Sequence, residues 1–377
     1  MQRKSLRPAA GEAVLDKKKH TRTEKRKKHA SPDMTLIHHL FGRHGIKRQL
    51  YFIYLIALFV PVTMLGIFLV INTRNLLKNY YSDMVASDNL RLKAIFFEIT
   101  TQMYNMSENV CNDEQLSKVL GTDYPDERAF ITDADDFING NGYLYNYAEV
   151  EELMIYTDNP SICDHRLFQQ AQGGGQTEDW FLLASERSSV LWMPLERKDK
   201  YGNSYWNLCL LRRIPLINDQ YHAVLVIKIS DNYLRTRVEN GEYATIVCAD
   251  NGQIVYASDR SLYGQPMHID VDYDNAHFAY ADDLTVDGQR SIANISTLNM
   301  YQSESRIYIC SLNPHAYDDI YRIVRVCVLI VLTAILLPGM MIFVFTRYFT
   351  TRVDLLREEM HKASHGDYNI MADFRGK

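Results

Sequence analysis

Two uninterrupted apolar runs limit this chain more than any other feature. Leu50 to Ile71 holds 22 residues without a charge (LYFIYLIALFVPVTMLGIFLVI), and Val326 to Thr346 holds 21 (VCVLIVLTAILLPGMMIFVFT). At about 1.5 Å of rise per residue, each run as a helix reaches across roughly 30 Å of hydrocarbon. The first run is too long for the apolar part of a cleaved leader, and no small-residue cleavage site follows it. Pro61 and Pro338 would break a soluble helix but are tolerated in membrane helices, so they predict kinks inside spans 50–71 and 326–346. The expected class is therefore an α+β membrane protein with two transmembrane helices flanking a domain on the far side.

Charge is distributed to match. Residues 1–48 carry fourteen Lys and Arg against four acids, and residues 347–377 carry six against five. With a net charge of −5 for the whole chain, the middle is left at −16. A basic tail next to an acidic centre predicts that both termini are cytoplasmic and that 73–322 is exported, with Arg43, Lys47 and Arg48 as the anchoring cations. Arg322 and Arg325 oppose this locally but are outnumbered. Residues 1–33 have too few large apolar side chains to build a core and are expected to be disordered. The lysine runs in that tail suit a lipid surface better than nucleic acid, so no nucleic-acid partner is expected. Met34 is a second plausible translation start. The six cysteines show no CxxC pair and no zinc spacing, so neither a metal nor a cofactor is expected. Five of them fall in the exterior and cannot all pair with one another; a Cys111–Cys163 bridge and buried free thiols both remain open.

Thr73 to Cys111 runs 39 residues without Gly or Pro. Apolar positions recur at intervals of three and four from Leu77, Tyr81 and Met84 through Leu92, Ile95, Ile99, Met103, Met106 and Val110, with Asp88 as a polar interruption. This predicts a stalk helix, 73–111, continuous with the first span. From residue 150 the texture turns to strands, at 152–157, 189–196, 205–214, 222–229, 243–250, 252–258 and 306–312, with turn-forming clusters between them. In ADNGQIVYAS, Asn251-Gly252 is expected to supply the positive backbone angles of a tight hairpin turn. The polar helical stretch 230–242 divides the strands into two α+β lobes, 112–238 and 239–322.

A long helix leaving a span, a distal strand-rich lobe and a smaller lobe opening on a D-N-G-x-I-V-Y-x-S hairpin resemble, over 73–322, the double Cache (double PAS-like) sensor domain. That resemblance implies a small extracellular ligand, held as a rule in the distal lobe. After the second span, Val353, Leu356, Met360 and Ala363 recur at 3-4-3 and Gly366-Asp367 follows. Residues 347–377 thus resemble the first helix of a HAMP domain and the start of its connector, although the proline common near the start of that helix is not seen around Arg352. Together the two resemblances imply a bacterial cell-membrane receptor acting as a parallel homodimer. They point to the input half of a sensor histidine kinase; a methyl-accepting chemotaxis receptor or a membrane solute-binding protein without signalling output are the alternatives.

Trp180, Arg187, Trp192, Tyr201, Tyr205, Trp206 and Arg212 concentrate aromatic walls and forked donors in the distal lobe, the composition of a small-molecule pocket. Each also has a plainer reading, core packing for the tryptophans and surface ion pairs for the arginines. The spacing by which amino-acid-binding Cache domains are known is not evident. No GxSxG, P-loop or HExxH motif and no ATP lid occurs, so no catalytic residue and no enzymatic activity are expected of this chain. His361 and His365 read as solvated positions on the HAMP-like helix.

Overall fold

The computed structural model describes residues 46–364 apart from 146, 174–175, 178, 199–203, 218–219, 240–241, 268, 270, 276 and 287. The expectations for the basic tail before residue 46, and for Tyr201, His365, Gly366 and Asp367, lie outside these residues. Two compact units are present, 63–333 on one hand and the flanking helical segments on the other.

A single helix, α1 (Ile46–Cys111), contains the first apolar run and passes through Pro61 without interruption. The last helix, α6 (Ala316–Ser364), contains the second run and Pro338. Both are long and apolar enough to cross a membrane. Within the flanking unit, Leu58, Phe59 and Val62 share a narrow crevice with Ile335, Gly339 and Ile342. Within 63–333, a Cβ placed on Gly66 would come 2.4 Å from Val331 Cγ1. A glycine there lets two apolar helices approach closely, as in membrane packing generally.

The unit 63–333 contains two five-stranded sheets. Helices α2 (Glu114–Gly121) and α3 (Glu127–Gly140), both additions to the elements expected from sequence, begin on capping aspartates: Asp113 accepts from Gln115 N and Leu116 N, and Asp126 from Ala129 N. Strands β1 (Val150–Thr157) and β2 (Phe168–Gln170) follow, then the small ladder of β3 (Gln172–Gly173) and β4 (Gln176–Thr177), helix α4 (Asp179–Glu186), and strands β5 (Leu191–Lys198), β6 (Ser204–Arg213) and β7 (Ala223–Ile229). The first sheet has the order β2-β1-β7-β6-β5. Its middle strand β7 is buried along its whole length, which matches a sequence apolar at every position but Lys228.

Ser230 caps α5 (Asp231–Val238), the polar helix that leads to the second lobe. That lobe is built from β8 (Ala244–Ala249), β9 (Ile254–Ala257), β10 (Ala279–Val286), β11 (Gln289–Asn299) and β12 (Arg306–Asn313), in the order β10-β11-β12-β8-β9. The predicted Asn-Gly turn needs one correction: of its residues only Gly252 has a positive φ, +79°. Gly252 N donates to Ala249 O and Ala249 N to Gln253 O, each at 2.9 Å. This is a three-residue loop closing on a glycine bulge, not a two-residue turn.

The main core joins α1 to both sheets, from Leu92, Phe96 and Ile99 to Leu153, Leu210 and Ile227 of the first and Val247, Ile307 and Ile309 of the second. On α1 the buried position near residue 84 is Val85, whereas Met84 faces outward at 37 % exposure. The polar interruption at Asp88 is a docking device. The Asp88 carboxylate accepts from Ser311 Oγ, and Asn89 Nδ2 donates to Asn294 O (3.0 Å) and Ile309 O (2.7 Å) while its Oδ1 accepts from Ser296. Buried polar groups cost stability unless bonded, so these contacts fix the register of α1 on β11 and β12. Lower down, Val85 shares a core with Ala316, Tyr317 and Ile320 at the start of α6. Lys78 Nζ reaches Asp283 at 3.2 Å and Tyr81 donates to Asp319 at 3.3 Å.

Candidate ligand site on the first lobe

Strand alternation divides the first sheet into two environments. Leu208, Leu210, Leu225, Ile227 and Ile229 face the core shared with α1. Cys209, Leu211, Val224 and Val226 face the other way, under Phe181 and Ala184 of α4, with Tyr156, Trp180, Leu191 and Met193 packed around them. The rows of this outer face continue into two polar side chains. Lys228 follows Val224 and Val226 at a period of two and pairs with Cys209; Asn207 lies two residues before Cys209 on the same strand.

Lys228 is only 3 % exposed, and its Nζ sits 2.8 Å from Glu151 Oε1 at the bulge in β1. Asn207 is also buried, and its Oδ1 has no hydrogen-bond partner. Trp180 meets the Tyr156 ring edge-on at 4.9 Å. One sheet face thus combines an aromatic wall, a buried ammonium and a buried acceptor awaiting a donor. An ammonium binds a carboxylate or other oxygen acceptor, and an orphaned amide oxygen is satisfied by an N–H or O–H group. No cluster able to hold a metal occurs among the described residues.

The residues singled out from sequence are not gathered in one place. Trp180 lies on this outer face. Arg187 lies in the loop before β5, exposed and 3.9 Å from Glu304 of the second lobe. Trp192 is 2 % exposed in the main core, and its backbone N–H donates to Ser305 Oγ at 3.0 Å, beside a 2.7 Å bond from Ser303 Oγ to Val190 O. Trp206 lies on Gly264, where an added Cβ would be 2.0 Å from its Cδ1. Arg187, Trp192 and Trp206 therefore mark the seam between the lobes. Arg212 turns to α1: Nη2 is 2.7 Å from Glu108 Oε2, Nη1 donates to Ser107 Oγ at 3.1 Å, and the guanidinium lies over the Tyr104 ring. Its hydrogen bond holds the Glu108 carboxyl below its ordinary value, helped by a hydrogen bond from Asn112. Tyr205 belongs to β6, but its side chain lies outside the described residues.

Sequence reasoning passed over Lys228 and Asn207. Their signal was a lone cation in HAVLVIKI and a lone amide in YWNLCLL, each in phase with the apolar residues of one face. At the other end of the chain, Val353, Leu356 and Met360 form an exposed stripe on α6, at 38 %, 42 % and 73 % exposure; the Ala363 side chain is outside the described residues. The cysteines are unbridged, and burial pushes the Cys111 and Cys248 thiols up to about 12.

No protein-family model matches the chain, and no curated protein matches its sequence. Among solved structures, it is similar to the periplasmic sensory domain of the Campylobacter jejuni chemoreceptor Tlp1, with a TM-score of 0.47 and 11 % identity over 63 % of this chain and 96 % of that one. It is similar also to the extracellular domain assigned to a histidine kinase, vpHK1S-Z8, with a TM-score of 0.43 and 11 % identity over 63 % and 96 %. A third is the ligand-binding domain of the Pseudomonas aeruginosa PAO1 amino acid chemoreceptor PctC in complex with GABA, with a TM-score of 0.41 and 12 % identity over 63 % and 99 %. These structures are sensory or ligand-binding domains of chemoreceptors and histidine kinases.

Proposed function

We propose that this chain is the sensing half of a transmembrane receptor. In this reading a double Cache domain outside the cell binds a small molecule, and the two membrane helices carry the response to a HAMP segment inside. The supporting observation is covalent. Helix α1 runs unbroken from the first apolar run into the core of both lobes, and α6 starts three residues after β12 and becomes the second run. The ligand site is the outer face of the first sheet, with Lys228 and Asn207 as polar contacts and Trp180 and Tyr156 as the wall. The chain performs no chemistry of its own. Its output is read as a histidine kinase, with a chemoreceptor as the second reading, because the 353-356-360 stripe would equally begin a continuous heptad coil.

The test is a ligand screen on the full chain in lipid nanodiscs, using small hydroxy acids, amino acids and sugar acids, followed by Lys228→Met and Trp180→Ala. Loss of one charge-assisted contact corresponds to about tenfold or more in affinity. Variants that stay folded yet bind every wild-type ligand unchanged would remove this face from consideration.

A further inference from the structure

The C-terminal end of the second apolar run carries two guanidinium groups that have no carboxylate partner among the described residues. Arg347 follows the last residue of the run, Thr346, and Arg352 lies five positions on. Among the described residues neither forms an ion pair; Arg352 instead lies over the Tyr348 ring, 5.6 Å from its centroid, with Nη2 3.4 Å from the hydroxyl. The two cations share a groove of about 380 Å³ with Tyr348 and Thr351, and its apolar end is made by Phe343 and Val344. Among the described residues no acidic side chain lines it.

An unpaired guanidinium seeks an oxyanion, and phosphate is the oxyanion found in quantity at the boundary between hydrocarbon and water. The groove has the polarity of that boundary, apolar toward Phe343 and cationic toward Arg352. Tyrosine suits this depth because its ring is apolar and its hydroxyl polar. Its stacking on Arg352 fixes one guanidinium and lowers the ordering cost of binding. We propose that this groove is a binding site for the headgroup phosphate of an anionic phospholipid, with Arg347 and Arg352 as the donors. The inference rests on the reading of α6 as a membrane span, and it makes the lipid composition of the inner leaflet an input to the helix that carries the signal.

The test places a reporter in the groove by Phe343→Trp in the full chain, reconstituted in phosphatidylcholine bilayers. Brominated phosphatidylglycerol or brominated phosphatidylcholine is added at low mole fraction as a short-range quencher. The three native tryptophans lie between residues 180 and 206 and give a constant background. The glycerol lipid should quench the reporter as though enriched about tenfold or more over the choline lipid, given about one kcal/mol for each arginine at the surface. Arg347→Gln with Arg352→Gln should abolish that preference, and Arg322→Gln with Arg325→Gln, before the same run, should leave it intact. Equal quenching by the two lipids would overturn the site. Loss of the preference in excess inorganic phosphate would also overturn it, by showing a free-anion site. Absence of quenching by either lipid would overturn the membrane span itself, a separate failure from loss of preference.

Discussion

A single polar side chain inside a sheet or helix interface has to be explained by its neighbours, and two such residues organise this molecule. Asn89 is 1 % exposed and makes three bonds to β11 and β12. Replacing it by Leu leaves buried polar groups without partners, a cost of about 3 kcal/mol. Chemical denaturation of the full chain, followed by tryptophan fluorescence, should show that loss; a change within error would mean that α1 does not depend on this lock. Asp283 gives a pH-dependent counterpart. Burial opposes its ionisation, but Tyr317, Arg290 and Lys78 around it prevail and hold its carboxyl below the ordinary value. Because the folded value is depressed, the stabilisation is fully present above about pH 4, the unfolded value, and is lost as pH falls through the folded one. Asp283→Asn should therefore flatten part of the acid limb of a stability–pH curve and leave its slope between pH 6 and 8 (about neutral, where carboxylates are ionised) unchanged. An unaltered acid limb would show that the cluster contributes nothing there.

At the scale of elements, regularity decided what could be read. The part of α1 beyond the first apolar run and β7 announce themselves because one face of each is apolar along most or all of its length. β10 and β11 were not predicted: AYADDLTV and QRSIANISTLN mix charges and small polar residues, and their pairing across eight registered positions is a tertiary fact. The residues singled out for a pocket are dispersed for a related reason. Trp and Arg in one stretch look like a binding wall, yet Trp192 and Trp206 are large because a seam between two lobes has to be filled, and Arg212 is tethered to Glu108. Local composition cannot tell a seam from a cavity. Lys228, by contrast, was legible in principle, because an ammonium in phase with Val224 and Val226 faces the same way they do. The seam also yields a prediction. Gly264 has φ +76°, and its missing Cβ is where the Trp206 ring lies. Gly264→Val adds a left-handed β-branched residue to a collision, costing about 3 kcal/mol or more. The variant's thermal midpoint should fall by several degrees, and Trp206→Ala on top of it should recover part of the loss. Equal stability of wild type and Gly264→Val would mean that the lobes are not packed at this point.

For the whole molecule, sensing requires that ligand contacts in the first lobe alter something at α6. A ligand shifts a two-state equilibrium only by its differential affinity for the two states, and moving it from 1:99 to 99:1 takes about 5.5 kcal/mol. The route of contacts runs through α1 and the second lobe, because Val85, Ala316, Tyr317 and Ile320 pack into one core where α6 begins. Among the described residues the stripe at Val353, Leu356 and Met360 lies exposed, and its 3-4 spacing is that of a helix seam; we expect a parallel homodimer to cover it. Positions on that seam should cross-link to their own copies, whereas Leu355, 51 % exposed and on the opposite side of the helix, should not. In a Cys327→Ser background, Val353→Cys and Met360→Cys should give disulfide-linked dimers in native membranes under mild oxidation, and Leu355→Cys should give few. Ligand should then change the Val353 and Met360 yields in opposite directions if α6 tilts, and in the same direction if the helices rotate or separate. Equal cross-linking at all three positions would show a helix without a defined partner, and the relay proposed here would have no seam through which to act.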